Sequence, residues 1–270
     1  YSDVDVTGQL NDVGGLVGNL GSGSSVTAGH TTGNVTGSSY VGGLVGYMLD
    51  GTGVSASDSS SSTITGSWAL TGGLVGLAKA NASITDSHAS NTVNGRDLVG
   101  GLVGENSGSV TNSYATGAVT ATGSNAGGLS GGNTRWGGSI SNSYATGSVT
   151  GAGNVGGLVG QNDASLTDSY ATGNVSSNAG NYVGGLVGTA GFSGNILRAY
   201  ATGSVSGVSY VGGLVGRLDN ITGLPTVTNS YSSGNVTGSS ASSLYLGGLV
   251  GSWDDPSKVV NSYYNLDSVV

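Results

Sequence analysis

The sequence predicts an all-β chain: one single-domain, right-handed parallel β-solenoid spanning residues 1–270, with about nine coils of ~28 residues and three short strands in each. Three observations predict it. The word Gly-Gly-Leu-Val-Gly returns at a nearly fixed interval. A tyrosine-bearing word and two aliphatic positions return in step with it. The apolar segments are four to six residues long, rich in Val, Thr and Tyr, and no stretch keeps a 3.6-residue period with caps.

The first element is the glycine word. It starts at Gly14, Gly42, Gly72, Gly100, Gly156, Gly184, Gly212 and Gly247, with a variant Gly-Gly-Leu-Ser-Gly at Gly127. The intervals are 28, 30, 28, 27, 29, 28, 28 and 35 residues. Its leucines (Leu16, Leu44, Leu74, Leu102, Leu129, Leu158, Leu186, Leu214 and Leu249) are expected to form one internal ladder. The glycines supply φ > 0 at corners and let backbones approach.

The second element is the tyrosine word, as in "NSYATG" at 112 and 142. It places Tyr114, Tyr144, Tyr170, Tyr200, Tyr231 and Tyr263 in one column, with His30, Asp58 and His88 at the same place in earlier coils. Tyr1 reads as the tail of a preceding rung. Four residues before each lies an aliphatic residue: Val26, Val54, Ile84, Val110, Ile140, Leu166, Ile196, Val227 and Val259. By simple alternation Tyr shares a face with that aliphatic, so the expectation is an inward or corner-packed tyrosine. Asp58 fits that poorly, because a buried unpaired carboxylate is costly. The third element is a later aliphatic followed by a small residue, as in Val119-Thr120, Val149-Thr150 and Val175-Ser176.

Composition follows from stacking. Gly is 55 of 270 residues and charged residues are 7%, against a usual ~25% charged. In a solenoid each position meets its own copy about 4.8 Å away, and like charges there would repel. Net charge is −8 with only six Lys plus Arg, so nucleic-acid binding and a polybasic lipid anchor are not expected. No apolar run reaches 18 residues, so no membrane insertion by a helix is expected. Cysteine is absent, which says little about compartment when the core is continuous. The chain starts at Tyr1 rather than Met and reads as a mature or excised segment.

"NSYATGSVTGAGNVGGLVGQN" (142–162) resembles the GLUG motif family, and the resemblance covers essentially the whole chain. Departures are local: "SASDSSSSTITG" in the coil from Gly42 to Thr71, and "TGSSASSLYL" lengthening the last interval. The resemblance implies an extracellular structural or adhesive array. Such repeats occur in large bacterial surface and secreted proteins, including filamentous-haemagglutinin-like adhesins, and flank the catalytic part of some immunoglobulin A peptidases.

Chemistry-bearing candidates are few. An exposed tyrosine stack could bind sugar rings. Thr columns (Thr116, Thr146, Thr172 and Thr202; Thr36, Thr65, Thr120, Thr150 and Thr237) raise ice binding, although no Thr-x-Thr pairing repeats from coil to coil. Asp3 with Asp5 and Asp254 with Asp255 are the close acidic pairs, without the register of a calcium repeat. No zincin, nucleophile-elbow or phosphate-loop motif occurs, and "GGLSGG" (127–132) reads as a repeat variant. No enzyme activity, cofactor or metal is expected. Irregular turns are the better place for recognition: 47–53, 131–138, 217–225 and 238–248. Among them Arg135 and Trp136 form a cation–aromatic pair at one tip and are the candidate surface recognition residues.

The expected function is therefore a non-enzymatic, extracellular or cell-surface rod for adhesion or display. Its partners are itself by end-to-end coil stacking, adjoining domains of a longer chain, or host or matrix glycans. Uncapped ends leave open a head-to-tail filament subunit. The alternatives are a substrate-binding module, carbohydrate or peptidase-associated, of a larger enzyme, marked by a cleft along the Tyr column or along Trp136 and Trp253, and an ice-binding solenoid.

Overall fold

The computed structural model describes residues 1–179, 182–219, 225–238 and 245–265. Parts of the turns at 217–225 and 238–248, and the last five residues, lie outside these. The described residues form five parallel sheets of nine strands each, and every strand pairs with its counterparts in the coils before and after it. One coil shows the order. Ala126–Gly127 belongs to the first sheet, Ser130–Asn133 to the second, Ser139–Ser141 to the third, Tyr144–Ala145 to the fourth and Val149–Thr150 to the fifth. The register is one-to-one: Val110 pairs with Ile140 and Ile140 with Leu166, and Tyr114 with Tyr144 and Tyr144 with Tyr170. The parallel solenoid expected from the repeats is thus the fold, and Tyr1 does extend a rung, since Ser2 bridges Thr31 in parallel.

Each coil carries five strands where three were expected, because two of the three apolar segments break at a corner. The glycine word splits after its first glycine. A Cβ on Gly42 would lie 2.0 Å from the Val45 carbonyl oxygen, so the chain doubles back there only without a side chain; close approach, and not the positive φ expected at the corners, is what the word's glycines supply, since none of them is left-handed. The tyrosine word splits at its first letter. Asn112, Asn142, Asp168, Arg198 and Asn229 sit at φ between 49° and 51°, a left-handed conformation that Asn and Asp adopt more readily than other non-glycine residues.

That corner corrects the tyrosine expectation. A left-handed residue shifts the in–out phase, so the residue after it turns inward. Ser113 and Ala115 are buried and Tyr114 between them faces outward. The inward column is serine. Ser143 Oγ accepts from the Ser113 N–H at 3.2 Å and donates to the Ser141 carbonyl at 2.8 Å, and the same bonds recur at Ser87 and Ser169. The letters of Asn-Ser-Tyr therefore mean corner, inward hydroxyl and outward ring.

The core is two apolar clusters that run the length of the molecule. The leucine ladder and the Val/Ile/Leu column share one, and the third-segment valines form the other with Val41, Val99, Val155 and Val211. Leu44 to Leu214 are fully buried in this ladder, while Leu16 in the first coil is 39% exposed. A waist separates the clusters. From Gly73 to Gly185 the second glycine of each word lies against the alanine after the Tyr or His position: a Cβ on Gly128 would sit 2.8 Å from Ala145 Cβ.

A third buried column was not foreseen. Asn106, Asn133 and Asn162 end successive strands of the second sheet at 0–1% exposure. Asn106 Nδ2 donates to Asn133 Oδ1 at 2.9 Å, and Asn133 Nδ2 to Asn162 Oδ1 at 2.8 Å. Side-chain amides stacked at strand spacing form ladders of this kind.

Candidate functional site

Outward-facing columns are what the solenoid offers to a partner, and the tyrosine file is the longest. From His88 through Tyr231 the rings stack with centroids 4.7–5.0 Å apart and planes within 8°. Tyr1 continues the file by stacking on His30 at 5.0 Å. Asp58 ends the conflict over its burial by pairing with His30 Nδ1 at 2.7 Å on this half-exposed face. At this spacing each ring covers the face of the next, leaving edges and hydroxyls outside. A sugar ring stacks on an aromatic face, so the file offers no such platform along its length. Burial first, and the neighbouring phenols second, raise the pKa of Tyr144 and Tyr200 above the ordinary phenol value.

The two threonine columns lie on different sheets. Thr116 follows the fourth-sheet strand and Thr120 is the middle residue of the fifth-sheet strand Val119–Ala121, with Gly117 between them. They therefore make no paired Thr-x-Thr strand. Paired hydroxyl positions exist instead on the third sheet, as Ser83/Thr85 and Ser109/Thr111, but Ser141 and Leu197 interrupt the threonine methyls.

Arg135 and Trp136 occupy the turn after the second-sheet strand, with Gly137 at φ 124°. The Arg135 guanidinium lies 4.6 Å from the Trp136 ring centroid and 4.1 Å from that of Phe192. Trp136 is 69% exposed. Phe192 belongs to an irregular turn and had no sequence signal. Trp253 lies on the second sheet's last strand, four coils from the Trp136 turn, about 20 Å along the axis, so the two share no cleft. The chain's other basic side chains are also engaged. Arg96 lies over Trp68, Arg217 over Tyr182 and Lys79 over Tyr47, while Arg198 pairs with Asp168 and Lys258 with Asp255.

The remaining candidates have local roles. Asp5 accepts from the Asn34 backbone N–H at 2.8 Å. Asp255 caps a short 3-10 turn, Pro256–Lys258, by accepting from Ser257. Ser130 of "GGLSGG" is fully buried and donates to the Gly132 carbonyl at 2.9 Å; it holds the valine position of the second sheet, between Val103 and Val159. In the 47–53 turn, Tyr47 packs edge-on to Tyr40 at 5.4 Å and Thr52 Oγ1 donates to the Leu49 carbonyl.

No curated protein and no solved structure matches the chain. The GLUG motif matches at residues 69–94, 95–120, 122–150, 151–176 and 207–237. These stretches cover just over half of the chain, and all five start in or a few residues before a first-sheet strand and close within a fifth-sheet strand, so the motif is one turn of this solenoid. The chain belongs to the GLUG motif repeat family.

Proposed function

We propose that this chain is a stiff, non-enzymatic rod in an extracellular or surface-exposed bacterial protein, serving adhesion or display. One observation carries the proposal: five nine-stranded sheets keep one-to-one register through every coil. A sharp bend between coils would have to break hydrogen bonds in the sheets on its outer side. Nine coils at strand spacing give a rod roughly 40 Å long. The structural role belongs to the repeat fold; the extracellular setting rests on the company such repeats keep.

Among the described residues, the last coil leaves Leu246, Trp253 and Tyr264 exposed around a shallow depression of about 350 Å³.

Negative-stain electron microscopy and small-angle scattering over a concentration series test the proposal. Rods about 40 Å long at every concentration support a stalk segment, and unbranched fibres support a filament subunit. A compact or flexible particle would overturn the rod. Antibody labelling of intact source cells tests the location, and labelling only after lysis would sink it.

A further inference from the structure

The first and second sheets meet at the glycine word in a concave crease, and the outward file of the second sheet runs along it. That file reads Tyr47, Leu77, Glu105, Gly132, Gln161, Thr189 and Arg217 in successive coils. Gly132 is the gap in it. Its neighbours above and below are Glu105 and Gln161, two coil spacings or about 10 Å apart. The missing side chain leaves a notch of about 190 Å³, lined also by Leu98, Asn125 and Asp163. This is smaller than the usual ~300 Å³ or more of a site for a drug-sized ligand and suits a single ring.

We propose that the Gly132 notch binds one neutral sugar ring of a glycan. Its polar groups are already aligned. Asn154 donates to Asn125 Oδ1 at 2.7 Å, Asn125 to Gln161 Oε1 at 3.1 Å, and Gln161 to Asp163 Oδ2 at 2.9 Å. Each wall amide oxygen accepts one hydrogen bond, and each amide nitrogen keeps a second hydrogen to donate. Glu105 supplies an acceptor. A hydroxyl accepts from such an amide and donates to such a carboxylate, whereas a metal ion has no use for the amide hydrogens.

The charges around the notch are mixed: burial raises the pKa of both carboxyls, Lys79 opposes this at Glu105, and at Asp163 Arg135 opposes it while Asp219 adds to it. An anion is disfavoured beside these carboxylates, and a neutral ligand needs no counter-charge. Leu98 gives the apolar contact that the C–H face of a sugar ring requires. The turn that carries Arg135 and Trp136 begins after Thr134, which lines the notch.

Gly132 permits a clean test. Its backbone is not left-handed, and a Cβ there meets the end of the flexible Leu98 side chain at 2.9 Å and then Glu105 Cγ at an ordinary 4.0 Å. The same file position carries Gln161 one coil further on. Gly132→Gln should therefore fold and fill the notch. The wild-type chain is titrated by calorimetry and ligand-observed NMR with neutral gluco-, galacto-, manno- and N-acetylglucosamine oligosaccharides, with a uronic-acid oligosaccharide and with calcium chloride. The expected result is binding of a neutral oligosaccharide, weakened at least about tenfold by Gly132→Gln and by Glu105→Gln, with unchanged thermal unfolding. No binding by any neutral member, equal binding by folded Gly132→Gln, or binding of calcium or the uronic acid alone would overturn the site. The rod is tested by shape, so either outcome leaves it standing.

Discussion

Asn133 Nδ2 donates a 2.8 Å hydrogen bond to Asn162 Oδ1, one coil and 29 residues away, and both side chains are out of water. The ladder stops at Asn162, whose own Nδ2 has no partner, because the next coil places Ala190 there. In other coils the same file holds Leu20, Met48 and Leu218, so the position tolerates apolar side chains. Asn133→Leu alone would strand Asn162 Oδ1, because Asn106 Nδ2 keeps the Gly108 and Ser139 carbonyls, at about 1–3 kcal/mol for a buried group left unpaired. Replacing all three asparagines by leucine removes Asn162 Oδ1 but leaves the Gly108 N–H without the Asn106 Oδ1 that accepts from it. Urea unfolding should find the triple variant at least as destabilised as the single one, and the opposite order would show that apolar burial at this file outweighs the ladder.

The serine file makes a prediction in the other direction. Ser143 N–H donates to Ser169 Oγ, and Ala199 N–H to Ser230 Oγ. Between them Ala199 interrupts the file, and no hydroxyl stands opposite the Ser169 N–H. Ala199 is buried at 2%, in the setting its neighbours give to serine. Ala199→Ser should stabilise by about 1 kcal/mol, read as a higher urea midpoint with unchanged slope. A loss of stability would mean that the corner at Arg198 has displaced the backbone from the geometry of the other coils.

What the sequence made legible was whatever stacking repeats. The period, the leucine ladder and the aliphatic columns are visible because each position must match its copy one coil away. The outward turn of tyrosine was hidden, since alternation counts residues and the left-handed corner at Asn142 adds a phase shift that counting misses. The asparagine ladder did leave a trace: Asn106, Asn133 and Asn162 follow the glycine word at one offset in three consecutive coils. The Gly132 notch left none, because an added glycine in a glycine-rich word is conspicuous only once its neighbours Glu105 and Gln161 are placed beside it.

The stacked phenols make stability depend on pH. Tyr144 and Tyr200 have raised pKa values, by burial first and then by the phenols of Tyr114, Tyr170 and Tyr231. The unfolded chain therefore loses these protons first. The stabilisation is full below the ordinary phenol pKa of about 10 and declines as pH rises through the folded-state values. Phenolate absorbance should show a late-ionising class of tyrosines. Tyr144→Phe with Tyr200→Phe should keep the stack and move alkaline unfolding to higher pH. Titration of every tyrosine as a free phenol would contradict this.

The waist sets the sharpest limit on substitution. A Cβ on Gly101 would stand 2.1 Å from the Gly128 carbonyl oxygen and 2.9 Å from Ala115 Cβ; the Gly128 N–H is tied to the Gly156 carbonyl and Ala115 lies in a paired strand. Neither can withdraw without opening two sheets at once, so Gly101→Ala should cost about 3 kcal/mol. A Cβ on Gly21 would meet nothing within 4 Å, and the backbone there is not left-handed, so Gly21→Ala should stay within about 0.5 kcal/mol of the parent. Urea midpoints of the two variants separate these cases. If Gly101→Ala were as benign as Gly21→Ala, the glycine word would be a matter of turn conformation alone, and the close approach between the two apolar clusters would not be what keeps the second glycine bare.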